Sequence, residues 1–389
     1  MKKKINHILP ALVLTASLGL TTVSCNGFLD EMPDNRTELN TDQKIAKLLV
    51  SAYADVSPNE LFELYSDNSD DSGPTYGYYK LSEQECYHWQ DTKEEYQDTP
   101  NSLWGGYYSA IAAANMALNA IEEKGNPASL DPQRGEALVC RAYCHFMLAN
   151  IFCNAYDTHA SQSLGVPYME EVETTVSPRY ERGTLEEVYR KVERDLLEGI
   201  DLISDDSYSV PKYHFTRKAA YAFAARFYLY YMKPDFSNCD RVIDFATRVL
   251  GTNPADLLRN WEALGNLSVN GNVQADAYIA SSNEANLLIS STVSNWGAIG
   301  SDYLIGPRYF HNQTLATSET CLSSGLWGSS DYFYLKPFST NGFVASILRK
   351  SGLYEGTYLY YMPVLFSTDE TMGHRTKRIL RIERKEYQT

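Results

Sequence analysis

Between residues 41 and 250, apolar side chains recur at three- and four-residue spacing, and the runs are broken by Gly and Pro. Over Thr41–Tyr53, Ile45, Leu48, Leu49, Ala52 and Tyr53 share one face behind a Thr41 or Asp42 cap, which predicts an amphipathic helix. From Ser102, Trp104, Tyr107, Tyr108, Ile111, Leu118 and Ile121 form a second stripe. Beside it Gly105, Gly106, Ala110, Ala112–Ala114, Ala117 and Ala120 make a small-residue face that lets a neighbouring helix come close. Gly125-Asn126-Pro127 ends that helix. Its partner runs from about Gln133 to Asn154 with Leu138, Ala142, Phe146 and Ala149 inward. Thr184 and Glu187 spell a capping box ahead of Val188, Val192, Leu196, Ile200 and Ile203. Thr216–Met232 carries Ala219, Ala220, Ala222, Ala224 and Ala225 and stops before Pro234; a last helix spans Cys239–Leu250.

These helices pair at a period of roughly thirty-odd residues, as degenerate tetratricopeptide-like repeats do. Such pairs bury their faces only by stacking on the next pair. Two stretches break the pattern. Residues 57–101 form a long, irregular, Asp- and Tyr-rich excursion whose aromatics (Tyr76, Tyr78, Tyr79, Tyr87, Trp89) argue against disorder. Residues 251–371 are rich in Gly, Ser, Asn and aromatics, with short strands expected at 284–291 and 358–366. The fold class expected is mainly α: a tetratricopeptide-like helical repeat scaffold with long irregular loops and a few short strands. The last residues, 372–389, hold six basic and two acidic side chains, a composition usual for a solvated tail and abrupt in this chain.

The N-terminus adds an address. Lys2–Lys4 precede an apolar run over Ile8–Leu20, too short for a membrane span, and Ser24 precedes Cys25. Residues 1–24 read as a signal peptide and Cys25 as an acylated N-terminus, with Thr22 where Leu is usual. Each buried acyl methylene is worth about 0.8 kcal/mol, enough in several chains to hold a soluble domain on a membrane. Losing three lysines takes the net charge from −15 to −18, which argues against nucleic acid and anionic lipid as partners. Thirty tyrosines suit polar-rimmed binding surfaces, although most serve as interhelix filler. Of the seven cysteines none forms a C-x-x-C pair, so buried free thiols are favoured over zinc or a disulfide framework.

The chemistry is sparse. No nucleophile elbow, zincin, P-loop or dinucleotide motif occurs. The run Asp67–Asp71 hints at a calcium loop, but Ser72 replaces the turn glycine and Tyr78 stands where a bidentate Glu belongs. It reads as a solvated acidic loop or as polar groups meeting a ligand. His145 sits on a helix and reads as structural. Paired carboxylates for glycoside hydrolysis are not legible from spacing. The chain is expected to be no enzyme and to need no cofactor or metal.

Several segments, in order, resemble the SusD/RagB family of nutrient-binding outer-membrane lipoproteins of Bacteroidetes. They are C-N-G-F-L-D-E-M-P at 25–33, W-G-G-Y-Y-S-A-I-A-A-A-N at 104–115, E-A-L-V-C-R-A-Y-C-H-F at 136–146, T-L-E-E-V-Y-R-K-V-E-R-D-L at 184–196 and T-R-K-A-A-Y-A-F-A-A-R-F-Y-L-Y at 216–230. The resemblance implies a surface lipoprotein that captures oligosaccharides, or peptides as in the RagB branch, and passes them to a TonB-dependent, SusC-like transporter. A surface glycosidase is the weaker alternative. By position it implies Trp89, Trp296 and Trp327 as sugar-covering aromatics, with Asp70 or Asp71 at the hydroxyl rim; Tyr78 is a further candidate ligand residue. It divides the chain into the 1–24 signal peptide, the 25–250 anchor and repeats, the ligand-facing 251–371 and the 372–389 tail. Family members continue past a stretch like L-F-S-T-D-E-T with another helix, so a truncated or frameshifted end is expected from Met372 onward.

Overall fold

The computed structural model describes residues 39–67, 69–71, 80–95, 97–175, 178–260, 263, 264, 267, 273–294, 308–311 and 375–380. The described residues from Thr41 onward belong to one compact unit. The helices of this unit begin and end where the capping chemistry says. Helix α1 (Asp42–Leu48) starts on the Thr41 hydroxyl, which accepts from the Lys44 N–H, and tightens into a 3-10 turn over Leu49–Ala52. After the short α2 (Asn59–Leu64) and α3 (Leu81–Tyr87) come the long α4 (Pro100–Glu123) and α5 (Asp131–Phe152). Helix α6 (Leu185–Leu202) opens on the Thr184–Glu187 capping box and α7 (Arg217–Tyr230) on the Thr216 hydroxyl. The helical array closes with α8 (Cys239–Leu250), and a short α9 (Val273–Tyr278) follows.

Helix α5 is the centre. It is buried on nearly every side, packs against both α4 and α6, and has almost no polar face, as expected of a helix surrounded by others. Its crossing with α6 is backbone to backbone. A Cβ on Gly135 would lie 2.7 Å from the Gly199 carbonyl oxygen, and one on Gly199 would lie 2.8 Å from that of Gly135. On α4 the small-residue face is only partly used: Gly106 meets Val56, while Gly105 and Ala112 point to solvent. Helix α8 buries just Phe245 and Val249.

An extended strap, residues 164–171, is tied across α4, α5 and α6 by a buried polar network. The Met169 N–H donates to His145 Nε2 (2.9 Å), so Nε2 is the acceptor and Nδ1 carries the proton toward the Arg141 carbonyl (2.9 Å). Asn115 Nδ2 donates to the Met169 and Glu171 carbonyls. Arg141 donates to Asp195 (2.6 Å), Asn115 and the Glu170 carbonyl, and the Tyr168 hydroxyl donates to Asp195 (2.7 Å). The Tyr168 ring stacks on His145 at 3.8 Å. Burial pushes the His145 pKa down to about 3. His145 is therefore a neutral structural histidine.

The 57–101 stretch, expected to be irregular, holds α2, α3 and strand β1 (Ser69–Asp71) around a core of Leu61, Leu64, Cys86, Leu103 and Tyr309. Helical turns form there because Leu61, Leu64 and Cys86 find that shared core. Strand β2 (Leu288–Val293) begins later than the 284–291 expectation. Asn283 turns back onto the Ala285 N–H, and buried Asn286 bonds the Tyr278 and Ala280 carbonyls. Strands β1 and β3 (Tyr309–His311) pair antiparallel, as do β2 and β4 (Arg375–Leu380). Strand β4 falls within the tail that carries no evident pattern in sequence; there Ile379 and Leu380 lie opposite Ile289 and Leu288. The described cysteines 86, 140, 144, 153 and 239 are free thiols.

Candidate ligand-binding site

Helix α3 ends in a Schellman motif. The Gln90 N–H donates to the Glu85 carbonyl (2.8 Å) and the Trp89 N–H to that of Cys86 (2.9 Å). This motif needs a left-handed residue at the position Trp89 occupies, and Trp89 has φ 56°. Glycine is the usual occupant; any other side chain costs about 1 kcal/mol or more. The strained backbone holds an indole that is 72% exposed. One face of the indole stacks on Tyr65, with centroids 4.4 Å apart and planes 20° apart. Tyr65 caps the end of α2 and leans on the Leu61–Cys86 core, so the stack has a rigid floor. Burial, with the Cys86 and Asp91 charges, raises the Tyr65 hydroxyl pKa.

Beside this platform β1 carries two carboxylates with different fates. Asp71 is clamped by Arg308, whose Nε and Nη2 reach its two oxygens at 2.6 and 2.7 Å. Exposed Asp70 accepts from the Tyr87 hydroxyl (3.4 Å) and from the Asp71 N–H (2.9 Å), both at Oδ1. Tyr87 packs on buried Tyr309 at 4.9 Å, with His88 edge-on to both. Beneath the lobe lies a tight acidic group. Glu60, Glu83 and Asp98 are buried around Lys80, whose Nζ is 3.9 Å from Glu60 and 3.6 Å from Glu83. Burial, reinforced by the Asp98 charge, raises the Glu60 pKa well above the carboxylate range, and burial raises that of Glu83. Glu60 Oε2 and Glu83 Oε1 have no hydrogen-bond partner among the described residues.

Of the expected site residues, Trp89, Asp70 and Asp71 therefore fall in one neighbourhood. Asp71 is spent on Arg308. Cys25, Tyr78, Trp296 and Trp327 lie outside the described residues. Tyr65, Asp91 and Arg308 belong to the site and carry no motif; Tyr65 is legible only as the end of a helix no periodicity announced. A second concavity of about 360 Å³ is lined by Leu258, Leu264, Leu267, Asn260 and Glu284 among others, and its described lining offers no aromatic ring. No group of three or more metal-ligating side chains occurs among the described residues.

An open indole face backed by a second ring covers the apolar C–H face of a pyranose, and flanking carboxylates accept from its hydroxyls. Residues 27–229 match the sequence profile of a SusD-like family described as starch-binding and associating with the outer membrane. The chain belongs to this family. Among solved structures, the SusD-like chain is similar to a SusD-like carbohydrate binding protein of Bacteroides vulgatus (13% identity, TM-score 0.50, 78% of this chain and 58% of that one). It is similar also to a SusD-like protein of Bacteroides fragilis (17%, TM-score 0.50, 82% and 59%). A putative sugar binding protein of B. vulgatus matches at 22% identity and TM-score 0.48, over 65% and 55%. The SusD-like chain thus spans little more than half the length of the structures it matches. No curated protein matches it. No helix among the described residues is long and apolar enough to cross a membrane.

Proposed function

We propose that this SusD-like protein is a non-enzymatic surface lipoprotein that captures oligosaccharides and hands them to a TonB-dependent, SusC-like transporter. It is anchored through acylated Cys25, and the glycan lies on Trp89. The observation that carries the reading is the indole held exposed at a left-handed position where glycine is cheaper. Strain of this kind gathers at ligand sites, and Trp89 differs from Phe236, exposed at the same φ, in having its indole backed by the Tyr65 ring. The described residues supply acceptors at Asp70 and Asp91 and a fixed floor at Tyr65, a set suited to holding a sugar. Trp296, Trp327 and Tyr78 complete the proposed set.

Isothermal titration of the mature chain against neutral oligosaccharides tests this. Removing one stacking aromatic is worth about 1–3 kcal/mol, so Trp89→Ala should weaken the best ligand by about ten-fold or more. Unchanged affinity removes the site. Co-purification of the native chain with a TonB-dependent barrel tests the transport partner.

A further inference from the structure

Resting on Trp89 as the platform, we infer that the site takes charge-neutral oligosaccharides and turns away anionic ones, those bearing uronate or sulfate. Between Ser57 and Asp98 stand eleven acids and two lysines. Each nearby described cation has a carboxylate partner, although Lys93 stays largely exposed. Lys93 Nζ lies 3.5 Å from Glu85, Lys80 serves Glu60 and Glu83, and Arg308 is held bidentately by Asp71 with its guanidinium 5.1 Å from the Tyr309 ring centre. Asp70 and Asp91 are exposed, and no cation among the described residues pairs with either.

Asp91 lies two residues after Trp89, and Asp70 is held by Tyr87, two residues before it. Asp91 acts on the Tyr65 hydroxyl and Asp70 on that of Tyr87. The two hydrogen bonds to Asp70 converge on Oδ1, which fixes the carboxylate and leaves Oδ2 with no described donor. A neutral sugar brings O–H donors to these oxygens and forms charge-assisted bonds. A uronate or sulfate brings a like charge into a field with no spare cation among the described residues, and repulsion between like charges selects against it.

The test is titration of the full mature chain, followed by tryptophan fluorescence, against matched probes. Fragments of glucan, xylan, mannan and galactan are set beside oligogalacturonate, oligoalginate and sulfated galactan fragments. A neutral member is expected to bind, with each anionic counterpart weaker by about ten-fold or more at low salt. The gap should narrow in high salt and in the Asp70→Asn, Asp91→Asn double variant, whose surface positions leave the fold intact. An anionic glycan that binds the native chain as tightly as its neutral counterpart overturns the inference. If Trp89→Ala then abolishes that binding, the platform stands and only the charge selection has failed. Binding of a lysine-rich peptide with no glycan bound, or no binding at all, overturns platform and inference together.

Discussion

Two regions of this protein bury charge, and they do so in opposite ways. Around the strap, Asn115, Arg141, His145 and Asp195 meet one another or a main-chain group, and none has a buried polar atom left over. Beneath the Trp89 lobe, Glu60, Glu83 and Asp98 crowd one lysine, and one buried oxygen each of Glu60 and Glu83 has no hydrogen-bond partner among the described residues. A satisfied network rigidifies and fixes one arrangement. An unsatisfied one spends stability, and here it sits under the same surface that holds an indole in a strained backbone. The array is the scaffold, and the lobe is where stability gives way to presentation.

The sharpest way to break the contrast is to open the strap network. Arg141→Met leaves Asp195 buried without its charge partner, and a loss of about 3–5 kcal/mol in urea unfolding is expected. Truncating both, as Arg141→Met with Asp195→Leu, should cost less than the single change. Acid should act on the same region. His145 is held neutral with a pKa of about 3 against 6.5 unfolded, so its unfolded form binds the extra proton between those values. Its contribution is complete above pH 6.5 and is lost as pH falls toward 3, on the order of 5 kcal/mol in all. His145→Gln should flatten that acid limb. The lobe has the reverse sign. Glu60 and Glu83 have raised pKa values, so their stability is complete at low pH and is lost as pH rises through the folded values. Glu60→Gln should flatten the alkaline side, read from unfolding midpoints against pH.

The smallest effect is the most discriminating. Trp89→Gly relieves the left-handed backbone, whereas Trp89→Ala keeps that cost, and both lose the stack on Tyr65. The glycine variant should therefore be the more stable by about 1 kcal/mol, with both equally poor in binding. Equal stabilities would mean that the backbone strain at Trp89 is not real.

Much of the scaffold was legible because its signals are local. Thr184 and Glu187 cap α6 as spelled, Thr216 caps α7, and Cys239–Leu250 form a helix end to end. The lobe was not legible, because α2 and α3 are short and owe their existence to a core completed by Leu103 and Tyr309 from far along the chain. In sequence Trp89 reads as an aromatic in a loop; its place at a helix end depends on bonds to Glu85 and Cys86 that no side-chain pattern encodes. Likewise Asp70 and Asp71 look equivalent in sequence, and only the arrival of Arg308 separates them.

The Gly135–Gly199 crossing bears on how such a chain can change over generations. Each glycine faces the other helix's main chain: Gly135 meets the Gly199 carbonyl and the Ile203 nitrogen, and Gly199 meets the Gly135 carbonyl. The usual route of drift at a helix interface trades a larger residue on one side for a smaller one on the other. That route is closed here, since no residue at 199 removes the carbonyl that a side chain at 135 would strike. Gly135→Ala should cost about 2 kcal/mol or more in unfolding free energy, and no single change on α6 should restore it. The two helices are inherited as one piece.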